Sequence, residues 1–262
     1  SSLIPILPIN PPRLLKRPVS STGHSSRFAS SSMVTAPEER SFRKPSAAAF
    51  AALSLAAVRA AGIEMTEKDL SRLARRGSGS AARSIPAGFV EWYRGANDNE
   101  SFAASIAPPQ HWNLVDCIAI VDENHKLTGS SEGHQLARTS PIQAARVLDA
   151  DRRLELCRMA IEDRDFNTLA RIVELDSNLL HAVAMTSQPI IHYWLPVTLQ
   201  IMQAVTNWRK NGIPCCFTVD AGPNVHVICD ASASETVAAK LQAINGVLNV
   251  IVCHPGGGTH LD

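Results

Sequence analysis

No apolar run in this sequence approaches the roughly 20 residues that a membrane-crossing helix requires. An excess of one charge is also missing. Lys and Arg number 25 against 24 Asp and Glu, a formal net charge of +1, which gives no support to a general nucleic-acid or anionic-membrane role. The cysteines Cys117, Cys157, Cys215, Cys216, Cys229 and Cys253 contain no C-x-x-C pair. Adjacent Cys215 and Cys216 are poorly placed to chelate one ion together, so reduced thiols in a cytoplasmic protein are expected, with no metal site. His134, His181, His226 and His254 share no metal-ligand spacing and read as core or surface histidines. No internal repeat is visible.

What is present is an ordinary globular composition, 45% hydrophobic and 19% charged over 262 residues, enough for one large domain or two modest ones. Residues 1–45 stand apart. They are rich in Ser, Pro and Arg, poor in acids and without a clear period, a loose likeness to a transit peptide. The apolar "LIPILPI" is short and broken by prolines, unlike a secretory signal. The chain starts without Met, as a fragment would, and disorder is expected over this stretch.

From Ser46 the pattern becomes regular. "SAAAFAALSLAAVRAAG" reads as an alanine-rich helix stopped at Gly62. Thr66, with Asp69 three residues on, forms a loose capping box for a second helix, "EKDLSRLARR". Residues 87–95 and 113–122 read as strands, 128–141 as a polar loop or helix start, and 142–185 as two or three helices. A further helix spans 195–212. Two strands then flank a turn at residues 221–224, and a helix at 235–244 precedes a strand that enters a glycine loop at 247–258. That mixture predicts an α+β or α/β fold.

Four polar clusters are candidates for chemistry. "RRGSGSAARS" (75–84) formally matches G-x-G-x-x-A, but a dinucleotide site needs a strand before it, and here a helix precedes. Its glycines permit close approach to an anion, its serines add donors, and Arg83 adds a planar fork. An anion site and a plain helix end with a flexible turn are equally compatible with the spacing. In "TVDAGPN" (218–224), Asp220 stands before a Gly-Pro turn, where a carboxylate serves as a turn cap, a base or a metal ligand. In "TGSSEGH" (128–134), Ser130 and Ser131 suit a helix cap or a phosphate. "PGGGTH" (255–260) is either a close-approach loop or a frayed terminus.

Together, and in this order, "LSRLARRGSGSAARSIPAGFVEW", "GSSEGHQLARTSP", "ELDSNLLHAVAMTS", "FTVDAGPNVHVI" and "PGGG" resemble the mevalonate diphosphate decarboxylase family of the GHMP kinase superfamily, from about Ser46 to Leu261. The form looks closer to archaeal or bacterial relatives, which include phosphomevalonate decarboxylases. The resemblance implies a two-domain α+β GHMP-kinase-like fold with its active site in a cleft. Here the N-terminal domain is incomplete: 1–45 unmatched, 46–112 its remnant, 113–262 the C-terminal domain. The lysine-bearing strand motif of the family is absent. "RFASSSMVTAPEERSFRKPSAAAF" stands where the family has a glycine-rich nucleotide loop.

The activity implied is ATP-dependent decarboxylation of mevalonate 5-diphosphate to isopentenyl diphosphate, with ATP and Mg2+. The alternatives are decarboxylation of mevalonate 5-phosphate and a degenerate, non-catalytic member of the family. By the resemblance, Asp220 is the catalytic aspartate and Arg83 binds the substrate carboxylate. Ser78, Gly79 and Ser80 contact substrate or phosphate, and Ser130 and Ser131 lie in a substrate-phosphate loop. The expected partner is a small phosphorylated hydroxy acid, without nucleic acid or membrane. A homodimer is expected, since family members are often dimers.

Overall fold

The computed structural model describes residues 47–123 and 130–260. The expectation of disorder for residues 1–45 therefore lies outside the described residues. Helix α1, Ala47–Ala60, uses the best helix former at eight of its 14 positions. It ends at Gly62, whose φ of +67° is a conformation that glycine adopts without strain. Helix α2, Glu67–Gly77, begins as its capping box predicts: Thr66 Oγ1 accepts from the Asp69 amide at 3.1 Å and donates to the Asp69 carboxylate at 2.7 Å. A 3-10 turn, Gly79–Ser84, follows directly.

Strands β1, Phe89–Tyr93, and β2, Phe102–Ala107, form an antiparallel hairpin. Sequence reading missed β2, because "FAASIA" is made mostly of residues with weak strand preference. Tertiary contacts supply what propensity lacks. Ser71 of α2 accepts the Ala103 amide at 2.8 Å and donates to the Ala82 carbonyl at 3.1 Å, joining helix, turn and strand through one hydroxyl.

The second sheet is a four-stranded antiparallel layer in the order β4-β5-β3-β6. Its strands are β3, Leu114–Ile120; β4, Cys215–Val219; β5, Val225–Asp230; and β6, Asn249–Cys253. Between β3 and β4 lie the helices α3 (Ser130–Leu136), α4 (Gln143–Leu148), α5 (Ala150–Glu162), α6 (Phe166–Met185) and α7 (Pro196–Lys210). Helix α8 (Ser234–Gln242) joins β5 to β6. The period-2 rule divides the sheet's side chains into two cores. Val115, Cys117, Ala119, Phe217, Val219, Val225 and Val227 pack on one face with Ile201 and Val205 of α7 and Val237 and Leu241 of α8.

The opposite face carries Leu114, Cys216 and Ile228. It meets Cys157 and Ile161 of α5 and Leu169, Ile172 and Val173 of α6, together with Phe89, Ala107 and Trp112 from the hairpin region. This second core locks the N-terminal hairpin to the C-terminal sheet. At roughly 1.5–3 kcal/mol for each fully buried large aliphatic or aromatic side chain, it is a strong joint. All six cysteines are free and buried. No helix among the described residues is long and apolar enough to cross a membrane.

Candidate functional site

The 3-10 turn after α2 is no flexible tail. Ala81, Ala82 and Arg83 are all buried, and Arg83 is only 7% exposed. Its guanidinium carbon lies 5.7 Å from the centre of the Trp92 ring on β1, a cation-π placement. The same indole explains one glycine: a Cβ at Gly79 would come 3.2 Å from the Trp92 ring. The Ser78 and Ser80 hydroxyls stand 3.1 Å apart as a pair of polar groups beside the turn. The Arg83 Nε has no hydrogen-bond partner among the described residues. Burial depresses the guanidinium pKa, and the negative charge of Asp220 opposes that shift. The field of Asp220 thus reaches Arg83, although 137 positions separate them in the chain (220 − 83).

Asp220 sits one residue beyond β4, at the edge of the sheet. The turn behind it is closed by backbone: the Gly222 amide donates to the Asp220 carbonyl at 2.7 Å. Among the described residues the Asp220 carboxylate makes no hydrogen bond of its own, so it is not used as a turn cap. The rest of the turn is pinned from outside. Thr198, in the first turn of α7, donates to the Pro223 carbonyl at 2.7 Å, and Asn224 Oδ1 accepts the Val121 amide at 2.9 Å.

The residue before Asp220 is held even more firmly. The Val219 amide donates to Ser177 Oγ at 2.9 Å, and its carbonyl accepts from His181 Nε2 at 2.9 Å. His181 is 1% exposed and packs against two rings, Trp194 at 4.7 Å between centroids and Tyr193 edge-on at 5.8 Å. Burial pushes its pKa down to about 4, against upward pulls from the Val219 bond and the Asp220 charge, so the ring is neutral at ordinary pH. In the sequence Ser177 and His181 stand on a periodic helix inside the quoted segment "ELDSNLLHAVAMTS", with His181 read as a core or surface histidine and neither given a role. Their function is visible only in three dimensions, since it is directed at backbone 38 to 42 residues away.

The glycine-rich C-terminal segment closes on the same turn. Thr259 Oγ1 donates to the Ser84 carbonyl at 2.6 Å and the Thr259 amide donates to Ile85 at 3.0 Å. The Gly88 amide donates to Gly256, also at 3.0 Å. A Cβ at Gly258 would lie 3.0 Å from the Ile85 carbonyl, so close approach, not fraying, accounts for this cluster. Ser130 and Ser131 open helix α3, but their side chains lie outside the described residues. Gly133 of that helix packs so tightly under the Tyr193 hydroxyl that a Cβ there would collide with it.

Among the described residues, buried donors without acceptors include Arg83 Nε, Thr218 Oγ1, Tyr193 Oη and Trp194 Nε1. Buried donors are ordinarily satisfied. The unpaired Arg83 Nε, within the field of Asp220, fits an acceptor-rich anionic ligand. Among the described residues no group of three His, Cys, Asp or Glu side chains is placed to hold a metal ion. A magnesium ion fits here only as the companion of nucleotide phosphates, which is how Mg2+ is usually held.

These helices and antiparallel sheets make up a fold of the GHMP-kinase-like kind, as in the solved structures the chain is similar to. The model of the mevalonate 5-diphosphate decarboxylase C-terminal domain matches residues 117–252, and that of the diphosphomevalonate decarboxylase-like N-terminal domain matches residues 21–103. The chain belongs to the diphosphomevalonate decarboxylase family.

Diphosphomevalonate decarboxylase from Candida albicans is 35% identical over 220 residues, covering 82% of this chain and 59% of that protein. The Homo sapiens enzyme is 39% identical over 204 residues, covering 74% of this chain and 50% of its own length. The structure of MDDEF in complex with MVAPP, AMPPCP and magnesium superposes with a TM-score of 0.75 at 34% identity, covering 82% of this chain and 66% of that one. The chain spans about half to three-fifths of the length of these curated relatives. They are fungal and human, so they establish the family without the archaeal or bacterial leaning expected from the sequence.

Proposed function

We propose that the chain takes part in ATP-dependent decarboxylation of mevalonate 5-diphosphate, giving isopentenyl diphosphate in isoprenoid biosynthesis. The observation that carries this reading is that the charge of Asp220 acts on the buried Arg83 guanidinium, two matched family positions, and that the Arg83 Nε has no partner among the described residues. The described residues form the acid-binding part of the site. The segment that stands in the place of the family's nucleotide loop, 27–50, lies mostly before Ala47, outside them. ATP supplies the γ-phosphoryl group, with Mg2+ neutralising its charge.

In this reading Asp220 accepts or orients the proton of the tertiary hydroxyl, so that the oxygen attacks phosphorus. Phosphate then leaves with the C–O electron pair, while the C–C bond to the carboxylate breaks and its pair forms the alkene with release of carbon dioxide. Arg83 holds the carboxylate ionised and aligned until that bond breaks, since a guanidinium stays charged throughout the working pH range. Ser78, Gly79 and Ser80 supply close donors to the acid, and Ser130 and Ser131 hold its phosphates. Recognition of mevalonate 5-phosphate uses the same carboxylate and hydroxyl contacts and differs only at the phosphate end. The proposal includes a cytoplasmic location and a homodimer, the latter checked by light scattering.

The deciding experiment incubates the purified chain with ATP, Mg2+ and mevalonate 5-diphosphate or 5-phosphate, and follows ADP and carbon dioxide. Equal release of both, lost in Asp220→Asn, supports the reading. ADP without carbon dioxide makes the chain a small-molecule kinase. Neither product with either acid makes it a non-catalytic member of the family.

A further inference from the structure

We propose that Ser177 and His181 are positioning residues for Asp220, an inference that rests on the reading of Asp220 as the proton acceptor. Among the described residues strand β4 lies at the sheet edge and pairs only with β5, which leaves outward backbone groups in need of partners. Helix α6 supplies them from one face, at spacings i, i+3 and i+7. Glu174 Oε1 accepts the Phe217 amide at 3.2 Å, Ser177 accepts the Val219 amide, and His181 donates to the Val219 carbonyl. Side chains thus take the place of a neighbouring strand.

The three rungs differ in purpose. Glu174 also forms a two-pronged ion pair with Arg209 at 2.6 and 2.7 Å, and Arg209 in turn donates to the Cys215 carbonyl at 2.8 Å, so that rung belongs to the packing of α6 on α7. Every hydrogen bond found for Ser177 and His181 side chains ends on Val219. Val219 is the last residue of the strand, where fraying is ordinarily easiest. Fixing both polar groups of that residue sets the orientation of the next Cα and therefore the direction of the Asp220 side chain.

A neutral imidazole suits this task better than a cation. A positive charge beside Asp220 would compete with the substrate's proton and with Arg83 for the carboxylate. Burial keeps the ring uncharged, and the Trp194 and Tyr193 contacts fix its plane. The donor geometry can be imitated: a glutamine amide reaches about as far as Nε2, an asparagine amide stops short, and leucine has no donor.

The test uses the full chain with His181→Gln, His181→Leu, His181→Asn and Ser177→Ala. Turnover and KM for mevalonate 5-diphosphate are measured together with hydrogen exchange at the Val219 and Asp220 amides. His181→Leu should lower kcat roughly tenfold to a hundredfold, the scale of a misplacement near 1 Å, with KM within about twofold. Exchange at Val219 should quicken. His181→Gln should restore most of both, and Ser177→Ala, which removes the acceptor of the Val219 amide, should quicken exchange there at least as much with a smaller loss of kcat. If His181→Leu fails to fold, His181→Asn gives the same comparison.

Unchanged kcat per folded molecule in His181→Leu or His181→Asn overturns the inference, as does equal impairment in His181→Gln. If the wild-type chain itself does not turn over, the proposed function falls. Exchange at Val219 then decides alone: protection lost in His181→Leu and kept in His181→Gln sustains the positioning of Asp220, and unchanged protection removes it.

Discussion

Thr259 donates to the Ser84 carbonyl at 2.6 Å across 175 positions of sequence, one residue from Arg83. The C-terminal glycine segment therefore clamps the turn that carries the guanidinium. Replacing Thr259 by Val keeps the shape and removes the hydroxyl. The expected cost is about 1 kcal/mol, the usual net worth of such a bond, measured by urea denaturation. Because the loosened element is the Arg83 turn, KM for the acid should rise severalfold while the nucleotide KM stays level.

Arg83 and Asp220 should separate cleanly in kinetics. Asp220→Asn removes the proton acceptor and leaves the acid's contacts in place. ATP turnover should fall by roughly a hundredfold to ten-thousandfold with binding of the acid retained by calorimetry. Arg83→Lys keeps the charge but loses the planar fork and the stack on Trp92. It should weaken acid binding and turnover together, each by roughly tenfold or more. Retained affinity in Arg83→Lys would remove Arg83 from the carboxylate site.

Much of the framework was legible because its signals are local. Thr66 and Asp69 announced α2, Gly62 announced the end of α1, and the turn between β4 and β5 falls where Gly222 and Pro223 stand. Strand β2 was not legible, since alanine and serine carry little strand preference and Ser71, 32 residues earlier, secures Ala103. The site divides in the same way. Arg83 and Asp220 stand in motifs that suggest a role, whereas Ser177, His181 and Trp92 stand in quoted segments that suggest none and, with Tyr193, act through distant backbone or ring contacts that no spacing rule encodes. The glycines at 79 and 258 were legible as glycines, but what approaches them (an indole and a carbonyl) was not.

Helices α4, α5 and α6 share a buried ion cluster. Arg153 Nε lies 2.9 Å from Asp176 Oδ1, and Arg146 Nη2 lies 3.4 Å from the same oxygen, with all three side chains nearly inaccessible. Asp176→Ala would leave two guanidinium groups buried beside each other with one fewer counter-charge. Breaking such a pair costs roughly 3–5 kcal/mol, so the midpoint of urea denaturation should fall sharply. Asp176 lies one residue before Ser177. Any fraction of Asp176→Ala that folds should also lose hydrogen-exchange protection at Val219.

His181 should make stability depend on pH in a defined window. Its folded pKa of about 4 lies below the ordinary 6.5, so the unfolded chain takes up a proton more readily than the folded one. Stability from this residue is complete above pH 6.5 and is lost as pH falls through 6.5 toward 4. The loss between pH 7 and pH 5 should be about 2 kcal/mol. His181→Gln keeps a donor for Val219 and removes the titrating group. Its unfolding free energy should therefore change less over the same interval, by about that amount. The check is urea denaturation of both proteins at pH 7, 6 and 5. Parallel pH profiles for the two would mean that the imidazole is protonated in the folded chain as readily as in the unfolded one, and that the ring beside Asp220 is not held neutral.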